Sequence, residues 1–247
     1  MLRKHGIVTG ASGDIGGAIA RQLAKEGYSL VLIGNHSIEN LNRTAQDCMG
    51  YSGQNEQTIL PLVGNLGDPD TASHLMQQAL AFFPTVELLV NCAGIAHIGL
   101  LTDMTTEQWK NILQTNLSSV FYCCRSIIPS MVHNKSGRIL NISSVWGNAG
   151  ASCEVAYSAT KGAIHSFTKG LAKELAPSGI AVNAIACGLI DTKMNHCFSA
   201  EELDQLCEEI PAGRMGTPEE VASMISLLAN APSYLTGQII TMDGGWI

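Results

Sequence analysis

A tyrosine and a lysine stand four residues apart in the segment YSATK, which covers residues 157–161. Side chains at this spacing lie on one face of a helix, so Lys161 is expected beside Tyr157. A free phenol has a pKa of about 10, which is too high for efficient proton exchange near neutral pH, and a neighbouring ammonium lowers it by favouring the phenolate. The pair therefore predicts a tyrosine that serves as a general acid or base.

A serine on the N-terminal side of this pair adds a hydrogen-bond donor. Ser144 precedes Tyr157 by thirteen residues and directly follows the apolar run GRILNIS (137–143). Its hydroxyl could donate to a substrate oxygen and stabilise the charge that develops there. Taken singly, the three residues are more simply a helix-surface tyrosine, a solvated lysine and a turn-forming serine. Their joint occurrence with the motifs below favours the catalytic interpretation.

A glycine-rich turn lies near the N-terminus, in VTGASGDIGGAIA (8–20). It follows a predicted strand and opens a predicted helix, where free N–H groups can receive a pyrophosphate. Gly10 allows the tight turn, and Gly16 and Gly17 allow close packing of helix on sheet. Asp14 is an unusual residue in such a cradle. We expect its carboxylate to cap the helix and to point away from the phosphates, while the main chain still binds them.

The elements that hold these residues alternate along the chain. Short, largely apolar runs predict strands at 6–10, 28–34, 58–64, 86–91, 137–143, 180–186 and 237–243. Helical spacing predicts a first helix that follows the glycine turn and ends near residue 26, and further helices over 37–48, 68–83, 106–134 and 155–176. Asp68 is the predicted N-cap of the helix over 68–83. Apolar strands separated by helices indicate an α/β fold, a doubly wound, Rossmann-like parallel sheet of seven strands. Its ligand is expected at the carboxyl ends of the strands.

The chain is predicted to form a single domain over residues 1–247, because it contains no linker, repeat or low-complexity tract. Residues 189–213 interrupt the alternation. This segment, which we call the lid, lacks a predicted strand and carries the short helix SAEELDQLCEEI (199–210). We expect it to be mobile and to lie beside the site.

Composition limits the possible partners. Hydrophobic residues make up 46% of the chain and charged residues 14%, which predicts a substantial core. The net charge of −7 and the lack of basic runs argue against nucleic-acid or membrane partners. The N-terminal apolar run is too short for a signal peptide, and no apolar stretch could cross a bilayer. The eight cysteines form no CxxC pair, which favours reduced, mostly buried thiols in a cytoplasmic protein and no metal site.

Further motifs complete an ordered set: NCAG (91–94), TNLSSVF (115–121) and NISSVWG (141–147). With the glycine turn and YSATK, they resemble the short-chain dehydrogenase/reductase family over essentially the whole chain, and most of all its 3-oxoacyl-acyl-carrier-protein reductase branch. The resemblance implies that Tyr157 is the general acid in ketone reduction and that Ser144 binds the substrate oxygen. It also implies that Lys161 reaches the cofactor ribose and that Asn116 holds a water of a proton relay.

The same resemblance implies which residues contact a nicotinamide dinucleotide. Asn91 and Gly94 would shape the turn beneath the adenosine side, and 65–66 would border the adenine. Ile190 and Thr192 would contact the nicotinamide carboxamide. The complete predicted set is Gly10, Ser12, Gly13, Asp14, Ile15, Gly16, Asn35, His36, Ser37, Asn65, Leu66, Asn91, Ala93, Gly94, Tyr157, Lys161, Gly188, Ile190 and Thr192.

Three positions depart from the family pattern: Asp14 replaces a glycine, Cys92 an asparagine and Cys187 a proline. For the cysteines we favour simple packing over a redox or nucleophilic role, because no basic partner is fixed beside either. Loss of the proline frees φ, so the loop after Cys187 is expected to be more mobile.

The preference for NADP or NAD depends on the end of the second strand. An acidic residue there would bind the ribose 2′-hydroxyl and repel a 2′-phosphate. Asn35, His36 and Ser37 are neutral, so NADP(H) is favoured. Against this, no Lys or Arg is present at the turn, and Gly13 stands where NADP-using relatives often have Arg. NAD(H) therefore stays possible.

The predicted function is NADPH-dependent reduction of a ketone, small or carrier-bound, most like that of 3-oxoacyl-thioester reductases. The segments WGNAGASCEVAYSATK (146–161) and CGLIDTKMN (187–195) also resemble a bacillar and clostridial subgroup associated with the 5-aminopentanone modification of elongation factor P. A non-catalytic cofactor-binding regulator is a third hypothesis, which the intact YSATK motif and Ser144 disfavour. The resemblance implies a homotetramer. The C-terminal GGWI fits an interface and a buried core equally well.

Overall fold

Successive side chains of the central strands point to opposite faces of the sheet, and because nearly all of them are apolar, both faces are buried. The computed structural model describes residues 4–51, 57–195 and 198–247. Within them the sheet has seven parallel strands in the order β3-β2-β1-β4-β5-β6-β7. They are β1 (Lys4–Thr9), β2 (Tyr28–Gly34), β3 (Ile59–Val63), β4 (Leu88–Asn91), β5 (Gly137–Ser144), β6 (Ile180–Cys187) and β7 (Ile239–Met242). The predicted doubly wound fold is confirmed, with strand ends that shift by a few residues.

Helices cover both faces of the sheet. They are α1 (Asp14–Lys25), α2 (Ile38–Gly50), α3 (Pro69–Phe82), α4 (Thr106–Leu113), α5 (Ser119–Asn134), α6 (Trp146–Ala149), α7 (Val155–Leu175), α8 (Ala200–Glu209) and α9 (Pro218–Asn230). Neighbouring residues of β1 face opposite layers: Val8 packs in a core with α1, α2 and α9, and Ile7 in one with α3, α5 and α7. Asp68 caps α3 as predicted, since its carboxylate accepts from Thr71 N at 2.8 Å.

The helix predicted over 106–134 is interrupted. A π-helical segment, Gln114–Ser118, separates α4 from α5. The prediction of one uninterrupted helix was wrong because apolar periodicity cannot register one wider turn. Such π segments often occur at functional sites, and this one carries Asn116.

Two helices were not predicted, namely α6 and α9. The signal for α9 is present in the sequence: Thr217 and Glu220 form a capping box, and Pro218 occupies the first helical turn. Helix α6 has only four residues, too few for any periodicity to show.

The lid is more closely tied to the domain than a structureless loop would be. Ile190 forms a single parallel bridge with Gly216, the turn Lys193–Asn195 is 3₁₀-helical, and Ser199 caps α8. At the C-terminal end of the lid, Ala212 N donates to Gly244 O at a distance of 3.1 Å. As predicted, the described residues of the lid contain no strand, and the Ile190 bridge is an isolated one. Its mobility stays a prediction, and residues 196–197 lie outside the described part of the chain.

Among the described residues, none of the helices combines the length and apolar character needed to span a bilayer. Seven cysteines are described and all carry free thiols; Cys48, Cys123, Cys124 and Cys187 are buried. The eighth, Cys197, lies outside the described residues.

Candidate active site

The four predicted catalytic residues come together beyond the carboxyl ends of β4 and β5. Ser144 is the last residue of β5, and its side chain hydrogen-bonds Tyr157 of α7. Lys161 follows one turn later, with Nζ 5.4 Å from the centroid of the Tyr157 ring. A Cβ atom built on Gly94 would lie 3.5 Å from Asn116 Oδ1 and 3.6 Å from Lys161 Nζ, so these two side chains converge on the loop after β4.

Asn116 is held by the loop that follows β4. Its Oδ1 accepts from Ile95 N at 2.8 Å, and its Nδ2 donates to Ile95 O at 2.8 Å and to Thr160 Oγ1 at 3.2 Å. These bonds join the π-helical segment, the loop and α7 at one side chain. The geometry makes Asn116 a rigid member of the site, and its role toward a relay water stays a prediction.

Lys161 is almost completely buried, with 5% of its surface exposed. Its Nζ donates to Ile142 O at 3.0 Å. Burial lowers the pKa of this ammonium from its ordinary value, because the charged form loses hydration. The lysine is therefore anchored to β5 and is not the solvated surface charge of the simpler interpretation.

The pKa of Tyr157 is raised well above its ordinary value, chiefly by burial and further by the Glu154 carboxylate, while the Ser144 hydrogen bond opposes the shift. We expected Lys161 to lower this pKa, and for the polypeptide by itself that expectation is wrong. The ammonium lies over the ring and donates to the Ile142 carbonyl instead. The protein thus holds Tyr157 as a neutral phenol, the form required of a general acid.

The glycine turn fits an anionic ligand at the start of α1. Gly10 has φ +67°, and a Cβ there would lie 2.8 Å from Ala93 Cα; a Cβ on Gly16 would overlap the Gly10 carbonyl oxygen. The N-cap residue, Gly13, makes no side-chain cap, so the N–H groups of the first helical turn lack a capping side chain. Free N–H groups and the positive end of the helix dipole suit a pyrophosphate.

Asp14 does not cap the helix, which corrects our expectation. Its Oδ2 accepts from the lid, from Lys193 N at 2.7 Å. The carboxylate therefore joins the glycine turn to the start of the lid across 179 residues of sequence. A glycine, the family's usual residue, could not make this bond.

The other predicted cofactor contacts follow the carboxyl ends of the strands, and several of them make defined local contacts. Ser12 lies against Gly34, and Asn35 Nδ2 is 3.0 Å from His36 Nε2. Ser37 begins α2, and the preceding turn (35–37) carries no carboxylate. Asn65 Oδ1 accepts from Gly67 N at 2.9 Å, and Leu66 is buried. The backbone N–H of Gly188 donates to Met242 O. The remaining predicted contacts are Ile15 and the lid residues Ile190 and Thr192.

Asn91 faces the interior of the sheet. Its Nδ2 donates to Asn141 Oδ1 at 2.9 Å, and Asn141 in turn donates to Thr168 Oγ1 at 2.9 Å. The adjoining turn is held by β1, since Thr9 Oγ1 accepts from the backbone N–H groups of Cys92 and Ala93. Asn91 thus supports the turn through β5, and a direct contact with a cofactor stays a prediction.

A cavity of about 490 Å³ opens over Ser144 and Tyr157. Apolar side chains of the lid line one wall, among them Leu189, Phe198 and Leu206. Trp146 and Trp246 form a further, aromatic wall, in which the two rings meet edge to face with centroids 5.0 Å apart. The volume and lining suit a small organic substrate.

Among the residues of this cavity that were not predicted as site residues are Trp146, Glu154 and Trp246. Glu154 precedes Tyr157 by three residues, so its place on the same helical face was a usable signal. No local pattern links Trp246 to Trp146, because only the return of the C-terminus over the sheet brings the two together.

Comparisons with known proteins agree with this geometry. The family profile described as short chain dehydrogenase matches residues 4–203. The chain belongs to the short-chain dehydrogenase family. As a member, it is an NAD(P)-dependent oxidoreductase, which removes the non-catalytic regulator from consideration.

Similar members of the family extend over nearly the whole chain. The "uncharacterized oxidoreductase YmfI" of Bacillus subtilis is 41% identical over 99% of both chains. The 3-oxoacyl-[acyl-carrier-protein] reductase FabG of Escherichia coli is 37% identical, covering 98% of this chain and 96% of its own. A solved structure of YwfH, described as an NADPH dependent reductase involved in bacilysin biosynthesis, aligns with TM-score 0.92 and 26% identity over 99% of this chain and 98% of its own.

The two cysteine departures from the short-chain dehydrogenase pattern are packing positions. Burial raises the pKa of the Cys92 thiol to about 12, and that of Cys187 to about 12 as well. Both are therefore neutral at physiological pH, whereas a reactive cysteine needs an accessible thiolate. The expectation that no basic partner lies beside them was wrong, because the Lys161 ammonium is near enough to lower both pKa values, but burial has the larger effect. The packing interpretation therefore rests on burial.

Proposed function

We propose that this short-chain dehydrogenase reduces a ketone to a secondary alcohol with NADPH. The observation that carries the proposal is the position of the Tyr157 phenol, which lines the cavity together with Ser144 and hydrogen-bonds it. In the proposed reaction Ser144 donates a hydrogen bond to the substrate carbonyl, and Tyr157 transfers its proton to the same oxygen. Bound NADPH supplies the hydride for the carbonyl carbon. Lys161 orients Tyr157 and the cofactor ribose.

NADPH is proposed over NADH because the turn after β2 carries no carboxylate at residues 35–37. A carboxylate at this position would repel the 2′-phosphate. The printed description of YwfH as NADPH dependent supports the same choice. Gly10, the N–H groups of residues 12–16 and the lid residues Ile190 and Thr192 are the proposed contacts for the rest of the cofactor.

For the substrate we propose a 3-oxoacyl thioester first. Relatives named as 3-oxoacyl-[acyl-carrier-protein] reductases are 37% identical, and the apolar lid wall suits an acyl chain. The 5-aminopentanone modification of elongation factor P is the second candidate. It is supported by the position of the two segments that resemble the corresponding subgroup, 146–161 and 187–195, which both line the cavity.

The test is NADPH oxidation by the purified protein with acetoacetyl thioester and with modified elongation factor P in parallel. We expect turnover with at least one of them, and a higher kcat/KM with NADPH than with NADH. Turnover of only one substrate decides between the two candidates. Failure to bind NADPH, or to oxidise it with any ketone, would contradict the proposed function.

A further inference from the structure

A carboxylate stands inside the substrate cavity. Glu154 lies three residues before Tyr157, at the N-terminus of α7, and lines the same cavity as Ser144. Among the described lining residues it is the one with a charged side chain. Proton transfer from Tyr157 does not use it, so its presence needs another explanation.

Helix capping does not account for Glu154. It occupies the N-cap position of α7, but its side chain makes no cap hydrogen bond. Burial raises the pKa of its carboxyl group, and a hydrogen bond from the Trp146 side chain partly offsets this. A half-buried carboxylate with one neutral donor is incompletely compensated, and a positive charge beside it would be favourable.

The surroundings of Glu154 also suit a cation. Trp146 and Trp246 meet edge to face, and Phe198 lies in the same lining. The indole Nε1 of Trp246 donates to the exposed Glu209 of α8 at 3.4 Å, so a second carboxylate lies beside this aromatic pair. Aromatic faces beside carboxylates are the usual surroundings of bound ammonium groups.

We propose that Glu154, with the Trp146–Trp246 wall, selects ketones that carry a positively charged ammonium group. The inference deepens the proposed function and rests on it for the identity of the reaction. Of the two candidate substrates it favours the 5-aminopentanone group, whose amine is an ammonium at neutral pH, over the uncharged 3-oxoacyl group. Glu154 is a specificity-determining residue: its carboxylate pairs with the substrate cation while Ser144 and Tyr157 engage the carbonyl. Since Glu154 and Tyr157 lie one helical turn apart, the cation and the carbonyl belong to one small substrate or to one modified side chain.

The test uses two ketones of the same shape and different charge, 5-(trimethylammonio)pentan-2-one and 6,6-dimethylheptan-2-one. The quaternary nitrogen cannot cyclise onto the ketone as a primary amine would. We expect the wild-type protein to prefer the cation in kcat/KM by about tenfold or more. Glu154→Gln should abolish the preference. Glu174→Gln, a matched change on the exposed face of the same helix, should retain it.

The ratio of the two kcat/KM values separates selectivity from a structural role. If Glu154 only positions Trp146, the E154Q variant loses activity on both ketones and the ratio stays unchanged, which overturns the inference. Equal use of the two ketones by the wild-type protein overturns it as well, without reference to any variant.

Binding provides a readout that does not require turnover. Quenching of tryptophan fluorescence by the cationic ketone should give a dissociation constant about tenfold lower for the wild-type protein than for E154Q. If neither ketone is reduced but this difference in binding is present, the proposed reduction fails and the role of Glu154 stands. If the ketones are reduced, but the wild-type protein and E154Q bind the cationic ketone equally and show the same ratio of kcat/KM values, the proposed reduction stands and the role of Glu154 is refuted.

Discussion

At the scale of single residues, the local spacing of Tyr157 and Lys161 predicted their proximity but not their electrostatics. Helical geometry places the ammonium near the ring whatever the rest of the protein does. The pKa of Tyr157 depends on how much water the cavity walls remove and on where the Lys161 ammonium donates. Both are tertiary properties: burial raises the pKa of Tyr157, and the Lys161 ammonium donates to the Ile142 carbonyl.

Removal of the phenol hydroxyl tests the role of Tyr157 directly. We expect Tyr157→Phe to lower kcat by about 10²–10⁴-fold, because the carbonyl oxygen then lacks its proton donor. NADPH binding, followed by fluorescence, should change little. Tyr234→Phe is the matched control, since the Tyr234 side chain is 99% exposed. A Tyr157→Phe variant as active as the wild-type protein would refute the assignment.

At the scale of elements, the lid and α1 are joined through Asp14. The bond from Lys193 N to Asp14 Oδ2 fixes the start of the lid beside the glycine turn. The sequence showed Asp14 as a departure from the family pattern, yet its partner lies in a segment without a readable local pattern. The tertiary structure shows the link, because the fold brings Lys193 beside Asp14 although 179 residues of sequence separate them.

We expect Asp14→Ala to speed amide hydrogen exchange in residues 189–195 by about fivefold, since one hydrogen bond of about 1 kcal/mol is lost. Asp14→Asn retains an acceptor oxygen and should exchange nearly as the wild-type protein does. The measurement is exchange followed by mass spectrometry of peptides from the lid. Unchanged exchange in the Ala variant would show that the bond does not restrain the lid.

The start of α9 gives a prediction about pH. The Arg214 side chain and the Thr217 N–H lower the pKa of Glu220 from 4.5 to about 2. Because the folded-state pKa lies below the ordinary value, Glu220 stabilises the fold above about pH 4.5. That contribution is lost as the pH falls from about 4.5 towards 2.

The variant Glu220→Gln isolates this contribution. We expect a lower free energy of unfolding than for the wild-type protein at pH 6, and a difference that shrinks as the pH approaches the folded-state value. Urea unfolding over this pH range measures it, with Glu219→Gln as the adjacent control. A difference that did not depend on pH would mean that the capping geometry, and not the charge, stabilises α9.

At the scale of the whole molecule, several apolar side chains lie uncovered on the surface. Phe121 and Val132 of α5 are 43% and 39% exposed, and Tyr234 and Ile247 lie exposed near β7. Strand β7 is at the edge of the sheet. Exposed apolar helix faces and an open sheet edge are typical of an oligomer interface.

These surfaces suit an interface, and the family resemblance implies a homotetramer. We expect a mass by light scattering about four times the 26.2 kDa of the chain. Phe121→Glu should lower the mass, because it places a charge in the proposed α5 interface. A matched change on another face, Leu227→Glu on α9, should not, although Leu227 is 66% exposed. A monomeric wild-type protein would contradict the prediction.

The catalytic roles of Asn116, Ser144, Tyr157 and Lys161 follow from the family resemblance and stay predictions. The sequence by itself determined the seven strands, the doubly wound fold, the glycine turn and the proximity of Tyr157 and Lys161. These are properties of local spacing and of side chains that pack in any parallel sheet covered by helices. The π turn at Asn116, the bond from Asp14 to the lid, the raised pKa of Tyr157 and the Glu154–tryptophan wall were decided by the tertiary structure alone. The last three depend on groups far apart in the chain that meet only in the folded protein, and the π turn places Asn116 against Ile95 and Thr160, which are also distant in sequence.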